Sequence, residues 1–250
     1  MSIETYQRVL DELASLDFSG RFSPYLQGEP LLDSRLPDLV ALARQTLPRA
    51  KLLIQSNGDA LTVENGLTLF KAGLHKMIVN CYDHHGDHVS RVQNIAREMA
   101  RKHCGLRYTK GDFYHMIRAE NHAKISQEIT IEDKTWWKEN TGENWAGNIP
   151  GAIEEPLRKS CSRPFEQLYV QFNGDVVLCC CDWRGEVIFG NLLEYSLLEI
   201  YSGRIASQYR ENLSQKNRKM KLCEVCNYRG AYLLRDRLRL FLYRLSSNFL

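Results

Sequence analysis

No apolar run in the 250 residues is long enough to span a bilayer, which excludes a helical membrane protein. Nothing in the opening residues reads as an export leader either. "MSIETYQRVLDELASL" reads instead as an amphipathic helix, with Tyr6, Val9, Leu10, Leu13 and Leu16 on one stripe. A cytoplasmic location is therefore expected, where thiols stay reduced. That excludes disulfide stapling as the use of the eight cysteines, and a chain with 44% apolar residues buries a core without it. Net charge is also scarce, at +3, and the excess sits in residues 201–250, where eleven Lys/Arg face Glu211, Glu224 and Asp236. No RNA-binding motif accompanies this basic stretch, so a solvated helix face is expected there and nucleic acid is not expected as a partner.

What is present is an alternation of helix and strand. "SRLPDLVALARQTLP" is predicted as a helix capped by Ser34, "KLLIQSNG" as a short buried strand, and "TVENGLTLFKAGL" as a helix capped by Thr62 and stopped at Gly73. "KMIVNCYD" is the next strand, "DHVSRVQNIAREMARKHCG" the next helix, and "KISQEITIED" a further strand. Units of this length and order imply parallel strands with right-handed crossovers, whose carboxyl ends carry the ligand site. Those ends read "LQGEP", "IQSNG" and "VNCYD", all polar or glycine-bearing. The chain opens on a helix, as though the first strand of the sheet were missing. The turn "DHHGDH" (Asp83, His84, His85, Asp87, His88) is read as solvated rather than metal-binding.

From residue 161 the pattern changes. "EQLYVQF-NG-DVVLCC" is predicted as a hairpin turning at Asn173-Gly174, with Phe172 opposite Asp175. Ser196 and Glu199 form a capping box that opens a helix running to about Gln215. Six of the eight cysteines lie from here on: Cys161, Cys179, Cys180, Cys181, Cys223 and Cys226. Cys223-x-x-Cys226 is a knuckle able to grip a metal or cluster, and the hairpin returns Cys179 toward Cys161. Strand alternation sets Cys179 and Cys181 on one face and Cys180 on the other, without choosing between the first two. Four thiolates suit either zinc or an iron–sulfur cluster, and a single knuckle with scattered cysteines suits a cubane better.

At these residues the chain resembles a radical S-adenosylmethionine (SAM) enzyme with a SPASM or Twitch domain. The resemblance rests on Cys161-x12-Gly174-x4-Cys179, the "RPF" after Cys161, "FGNLLEYSLLEIY" and Cys223-x-x-Cys226. It implies an α/β architecture: an incomplete (β/α)6 partial barrel over residues 1–157, then a small α+β SPASM/Twitch domain over 158–230. A basic amphipathic helix over 231–250 follows, expected to cap the core. It further implies that Cys161, Cys179, Cys223 and Cys226 hold an auxiliary [4Fe–4S] cluster, with Cys181 in reserve. "GEP" (Gly28, Glu29, Pro30), "SNG" (Ser56, Asn57, Gly58) and Asn80 are similar to the strand ends that bind SAM in this family. "NWAGNIPG" is similar to the family's Asn-Arg-x-Gly segment, with Trp145 in place of the arginine.

One departure is plain. The family's radical-generating cluster uses C-x3-C-x2-C, and no such run occurs here. The opening residues resemble the region just downstream of that motif, so the chain is expected to be a fragment, with a degenerate member that has lost the chemistry as the competing expectation. The intact family reaction is reductive SAM cleavage and hydrogen-atom abstraction from a peptide or small molecule, with a reductant such as flavodoxin or ferredoxin. A non-catalytic iron–sulfur protein for electron transfer or peptide binding, and a zinc-stapled binding module, are the alternatives.

Overall fold

A computed structural model describes residues 1–82, 87–111, 127–134, 144–148, 153 and 155–228. They divide into two compact units, Leu13–Asn140 and, apart from it, Met1–Glu12 with Thr141–Leu250. The basic segment 231–250 lies outside the described residues, as do residues 83–86 of the His-rich turn.

The first unit is a parallel α/β sheet. Its elements are β1 (Arg21–Phe22), α2 (Leu36–Thr46), β2 (Lys51–Ser56), α3 (Val63–Lys71), β3 (Lys76–Cys81), α4 (Asp87–Lys102), β4 (Leu106–Gly111) and β5 (Gln127–Asp133), after α1 (Ile3–Ser15) at the start of the chain. The spatial order is β1-β2-β3-β5-β4, with every pair parallel. The last two strands thus break chain order, with β5 inserted between β3 and β4.

Local sequence accounts for most of these elements. Thr62 and Asn65 close a reciprocal capping box at the start of α3. Gly73 takes φ 105 just past its end, a backbone conformation that glycine adopts without strain. Ser34 does not cap α2. The N-cap position falls on Arg35, which makes no side-chain cap, and Pro37 instead presets the first turn.

The sheet has two unlike faces. Leu52, Ile54, Met77, Val79, Ile129 and Ile131 are buried on one, and this is the helix-packed side. A Cβ built on Gly58 would meet both Val79 Cγ1 (2.5 Å) and Val92 Cγ2 of α4 (3.2 Å). Each such aliphatic side chain stabilises the unit by about 1.5–3 kcal/mol. The opposite face sets Gln55, Lys76, Asn80, Thr109, Glu128, Thr130 and Glu132 among the buried Leu53 and Ile78. Parallel strands are ordinarily apolar on both sides, and this face is unusually rich in polar groups.

The second unit holds a three-stranded antiparallel sheet, β6 (Tyr169–Val170), β7 (Asp175–Val177) and β8 (Ile188–Asn191). With it go the short helices α5 (Arg163–Glu166), α6 (Leu197–Ser202) and α7 (Arg204–Ser214). The hairpin is one residue out of the expected register. Val170 pairs with Val176, and Gln171 N donates to Asp175 O (2.8 Å). The loop is therefore Phe172-Asn173-Gly174, with Gly174 at φ 91 as its left-handed closing residue. The capping box of Ser196 and Glu199 forms as expected. The helix it opens stops at Ser202, because Gly203 takes an extended ψ of 154° and restarts the chain as α7.

Met1–Glu12 belongs to this unit. Arg8 Nε donates to Leu192 O (3.3 Å), and Leu197 N donates to Glu12 Oε2 (2.9 Å).

Candidate metal centre and ligand-binding strand ends

The three consecutive cysteines do not lie on a strand. β7 ends at Val177, and Cys179 to Asp182 form a turn closed by Asp182 N donating to Cys179 O (3.0 Å). Asp182 anchors that turn. Its buried carboxylate accepts from Glu186 N (2.8 Å) and Val187 N (2.9 Å), and Gln171 Nε2 reaches its carbonyl (3.3 Å). Alternation of faces therefore does not apply to the triplet. Its thiols lie close enough to perturb one another, Cys180 by Cys181 and Tyr169, and Cys181 by Cys179 and Cys180. Hydrogen bonding to Cys179 pushes the Cys181 thiol up, and hydrogen bonding to Cys181 followed by burial does the same to Cys180.

Three more cysteines of this unit, Cys161, Cys223 and Cys226, interact electrostatically with one another, and Cys223 with the turn. Cys223 is pushed up to about 12, first by burial and then by the neighbouring charges of Cys161, Cys226 and, more weakly, Cys181. Burial also raises Cys161, while Arg218 and Arg163 pull against it. Cys161, Cys181, Cys223 and Cys226 thus share one electrostatic neighbourhood, which Cys179 joins through Cys181. Among the described residues, no three His, Cys, Asp or Glu side chains meet closely enough to hold a single metal ion.

Two guanidinium groups flank the sulfurs. Arg163 Nη1 donates to Cys181 Sγ (3.1 Å), and its guanidinium lies 3.6 Å over the Tyr228 ring. Arg218, 2% exposed, donates to Lys159 O (2.8 Å), Ser160 O (3.1 Å) and Tyr228 O (2.7 Å). It thereby ties the backbone before Cys161 to the backbone after Cys226, beside the thiols whose charge it offsets. A cluster held by four thiolates is anionic, and this donor set with two adjacent cations fits such a group.

A left-handed loop braces the knuckle. Trp145 (φ 50), Ala146 (φ 56) and Gly147 (φ 85) are consecutive positive-φ residues, and a bulky residue there is a strained outlier. Asn144 Nδ2 donates to Val225 O (2.6 Å) and Asn148 Nδ2 to Cys181 O (3.2 Å). The segment flagged in the sequence thus grips both halves of the cysteine site.

In the parallel unit, the expected strand-end residues meet in part. Glu29 reaches one of them, its Oε2 accepting from Asn57 N (2.8 Å), while its Oε1 accepts from Leu31 N (3.0 Å) in its own loop. Its carboxylate therefore fixes the loops against each other. Gly28 takes φ 84 with open space where a Cβ would stand, and Pro30 begins a 3-10 turn. Ser56 Oγ accepts from Gly58 N (2.9 Å), and Asn57 closes its own turn with Asp59. Asn80 Nδ2 donates to Gln55 Oε1 (3.3 Å), while its buried Oδ1 receives no hydrogen bond among the described residues. His88 Nε2 lies 3.6 Å from Asp59. Cys81 is buried in β3 and pushed up to about 11 by burial and Asp133.

Sequence reasoning missed Arg163, Arg218 and Glu132. "EITIED" did carry a signal for the last, because its polar residues alternate with Ile129 and Ile131.

Residues 161–227 match the family model of SPASM, an iron–sulfur cluster-binding domain. The S-adenosyl-L-methionine-dependent 2-deoxy-scyllo-inosamine dehydrogenase of Niallia circulans is 27% identical over 223 residues, which is 89% of this chain and 78% of that protein. The crystal structure of BtrN in complex with AdoMet and 2-DOIA is 26% identical with a TM-score of 0.66, covering 91% of this chain and 80% of that one. Native anSMEcpe with bound AdoMet shares the fold at 11% identity and a TM-score of 0.56, covering 99% of this chain and 88% of that chain.

Proposed function

The chain is a radical SAM/SPASM-type iron–sulfur protein, and from that premise we propose that it serves the oxidation of a small-molecule alcohol. In this reading Cys161, Cys179, Cys223 and Cys226 hold an auxiliary [4Fe–4S] cluster. Gly28, Glu29, Pro30, Ser56, Asn57 and Asn80 cradle SAM. When bound, SAM cleaved reductively supplies a carbon radical, and the cluster supplies an electron acceptor.

The observation that carries the reading is the gathering of Cys161, Cys181, Cys223 and Cys226 in one unit beside Arg163 and Arg218. The spacing Gly174-x4-Cys179 favours Cys179 as the fourth ligand, with Cys181 as its neighbour in the turn. Arg163 and Arg218 offset the negative charge of the centre, and Asp182 holds the turn that presents it. At the strand ends, Glu29 keeps the two loops in register, and Asn80 Oδ1 offers an acceptor to a ligand hydroxyl or amino group. Relatives named for SAM-dependent 2-deoxy-scyllo-inosamine dehydrogenation and for a complex with AdoMet and 2-DOIA support a small molecule over a peptide. The match to an iron–sulfur model favours iron over zinc. Residues 1–250 contain no C-x3-C-x2-C, so the cluster that cleaves SAM in this family has no ligand set within them.

Anaerobic purification followed by iron and sulfide analysis and a SAM titration tests the proposal. Equal iron and sulfide, lost in Cys223→Ser, and SAM binding weakened by Asn80→Ala are expected. Zinc without iron overturns the cluster. A chain that holds iron but binds no SAM leaves the non-catalytic iron–sulfur reading in its place.

A further inference from the structure

Two buried glutamates share the polar face of β5, and their surroundings differ sharply. Glu128, toward the amino end, accepts from Arg107 Nη2 (3.1 Å) and Thr109 Oγ1 (3.0 Å), with Lys76 Nζ at 3.1 Å. It is a closed structural network. Glu132, at the carboxyl end and 1% exposed, has Lys134 Nζ at 3.2 Å. Neither of its carboxylate oxygens receives a well-formed hydrogen bond among the described residues. Buried polar atoms are nearly always satisfied in folded proteins, so an acceptor left open at this position calls for a partner.

Three further observations place that partner. Asn80 and Glu132 are register partners on adjacent parallel strands, so their side chains emerge on the same face. Asn80 Oδ1 is itself unpartnered among the described residues. Across the other neighbouring strand, Glu132 pairs with Gly111. A Cβ at Gly111 would stand 2.9 Å from Glu132 Cγ and 2.6 Å from Thr130 Cγ2. A side chain at position 111 would therefore occupy the space beside the carboxylate. All of this lies at the carboxyl ends of parallel strands, where such sheets bind ligands.

We propose that Glu132, with Lys134 as its counter-ion, binds an amino or hydroxyl group of the substrate, beside the SAM position at Asn80. A carboxylate only accepts, so the ligand must bring N–H or O–H donors. Its negative charge selects an amine or a neutral polyol over an anionic substrate. Hydrogen-atom transfer needs the two ligands in contact, and adjacent strand positions about 4.8 Å apart meet that need. The proposal rests on the small-molecule reading above.

Isothermal titration of the full chain, loaded anaerobically, tests it with three probes: 2-deoxy-scyllo-inosamine, scyllo-inositol and SAM. Glu132→Gln is expected to weaken the aminocyclitol at least about tenfold and to leave SAM affinity within about twofold. Gly111→Ala, which crowds the same carboxylate, should weaken the same probe. Should Glu132→Gln fail to fold, Glu132→Asp keeps the charge, shortens the reach and gives the same comparison. Unchanged aminocyclitol binding in Glu132→Gln overturns the assignment, and so does a loss confined to SAM. Wild-type chain that binds SAM but neither cyclitol overturns it as well, whereas failure to bind SAM overturns the reading beneath it.

Discussion

Asn144 and Asn227 clasp one another: Asn144 N donates to Asn227 Oδ1 (2.6 Å), and Asn227 N donates back to Asn144 Oδ1 (3.1 Å). One side of the clasp is the strained left-handed loop and the other is the segment just past Cys226. Asn144→Ala removes an acceptor of this pair and the donor to Val225 O, two part-buried hydrogen bonds. A loss of about 1–2 kcal/mol in denaturant unfolding is expected. Faster proteolysis in the stretch containing Trp145 and Ala146 should accompany it.

Arg218→Gln removes the buried cation and most of the three-carbonyl tie. Lys159 O, Ser160 O and Tyr228 O lose their common donor. The variant is expected to hold less than half the wild-type auxiliary iron after reconstitution, and to lose about 3 kcal/mol of stability. Arg218→Lys keeps the charge but not the planar fork, so it should recover only part of either quantity. Iron and sulfide per chain, together with urea unfolding, measure both.

Cys179→Ser and Cys181→Ser separate the two neighbours in the turn. The first is expected to lose auxiliary iron and the second to retain it, with an altered electronic absorption because Arg163 then faces a hydroxyl in place of sulfur. The reverse pattern would make Cys181 the ligand.

His75 sets a pH dependence that has nothing to do with sulfur. Its Nδ1 accepts from Arg44 Nη2 (2.7 Å) and from Leu52 N (3.3 Å), a geometry only the neutral ring allows. Burial, then Arg44 and Lys51, hold its pKa below the ordinary histidine value. Above about pH 6.5 both folded and unfolded chains carry neutral imidazole and the contribution is complete. As pH falls below that value, the unfolded chain takes up a proton the folded one refuses, and stability declines until the lowered folded pKa is reached. Urea midpoints between pH 8 and pH 5 should show this slope in wild type and a shallower one in His75→Asn.

The sequence exposed the parts of the fold whose causes are local. "KLLIQS" and "KMIVNC" are apolar runs with clear ends, and the caps at Thr62 and Ser196 are set within four residues. β4 escaped because "LRYTKG" is half polar, as befits the strand that ends the described sheet order, and β5 pairs it against chain order. The hairpin register slipped because Asn173-Gly174 looks self-sufficient, and nothing local tells that the exposed Phe172 belongs to the loop. The cysteine turn owes its shape to Asp182, whose partners arrive from residues 186 and 187, so strand periodicity misdescribed it. At the strand ends, the residue types were legible but not their use. Glu29 reaches Asn57 from 28 positions away, a relationship no short motif encodes.

The allegiance of the first twelve residues bears on how the protein comes to be folded. Leu13–Asn140 is one contiguous stretch built on neighbouring strands and helices, so it can consolidate while the chain is still being made. The other unit cannot. Arg8 waits for a carbonyl 184 positions later, and Glu12 for an amide 185 positions later. Closing so wide a loop is slow, and it comes after the contiguous unit has formed. The cysteine-bearing body is therefore the last to assemble, and iron delivered earlier in synthesis would find sulfur ligands but no finished enclosure.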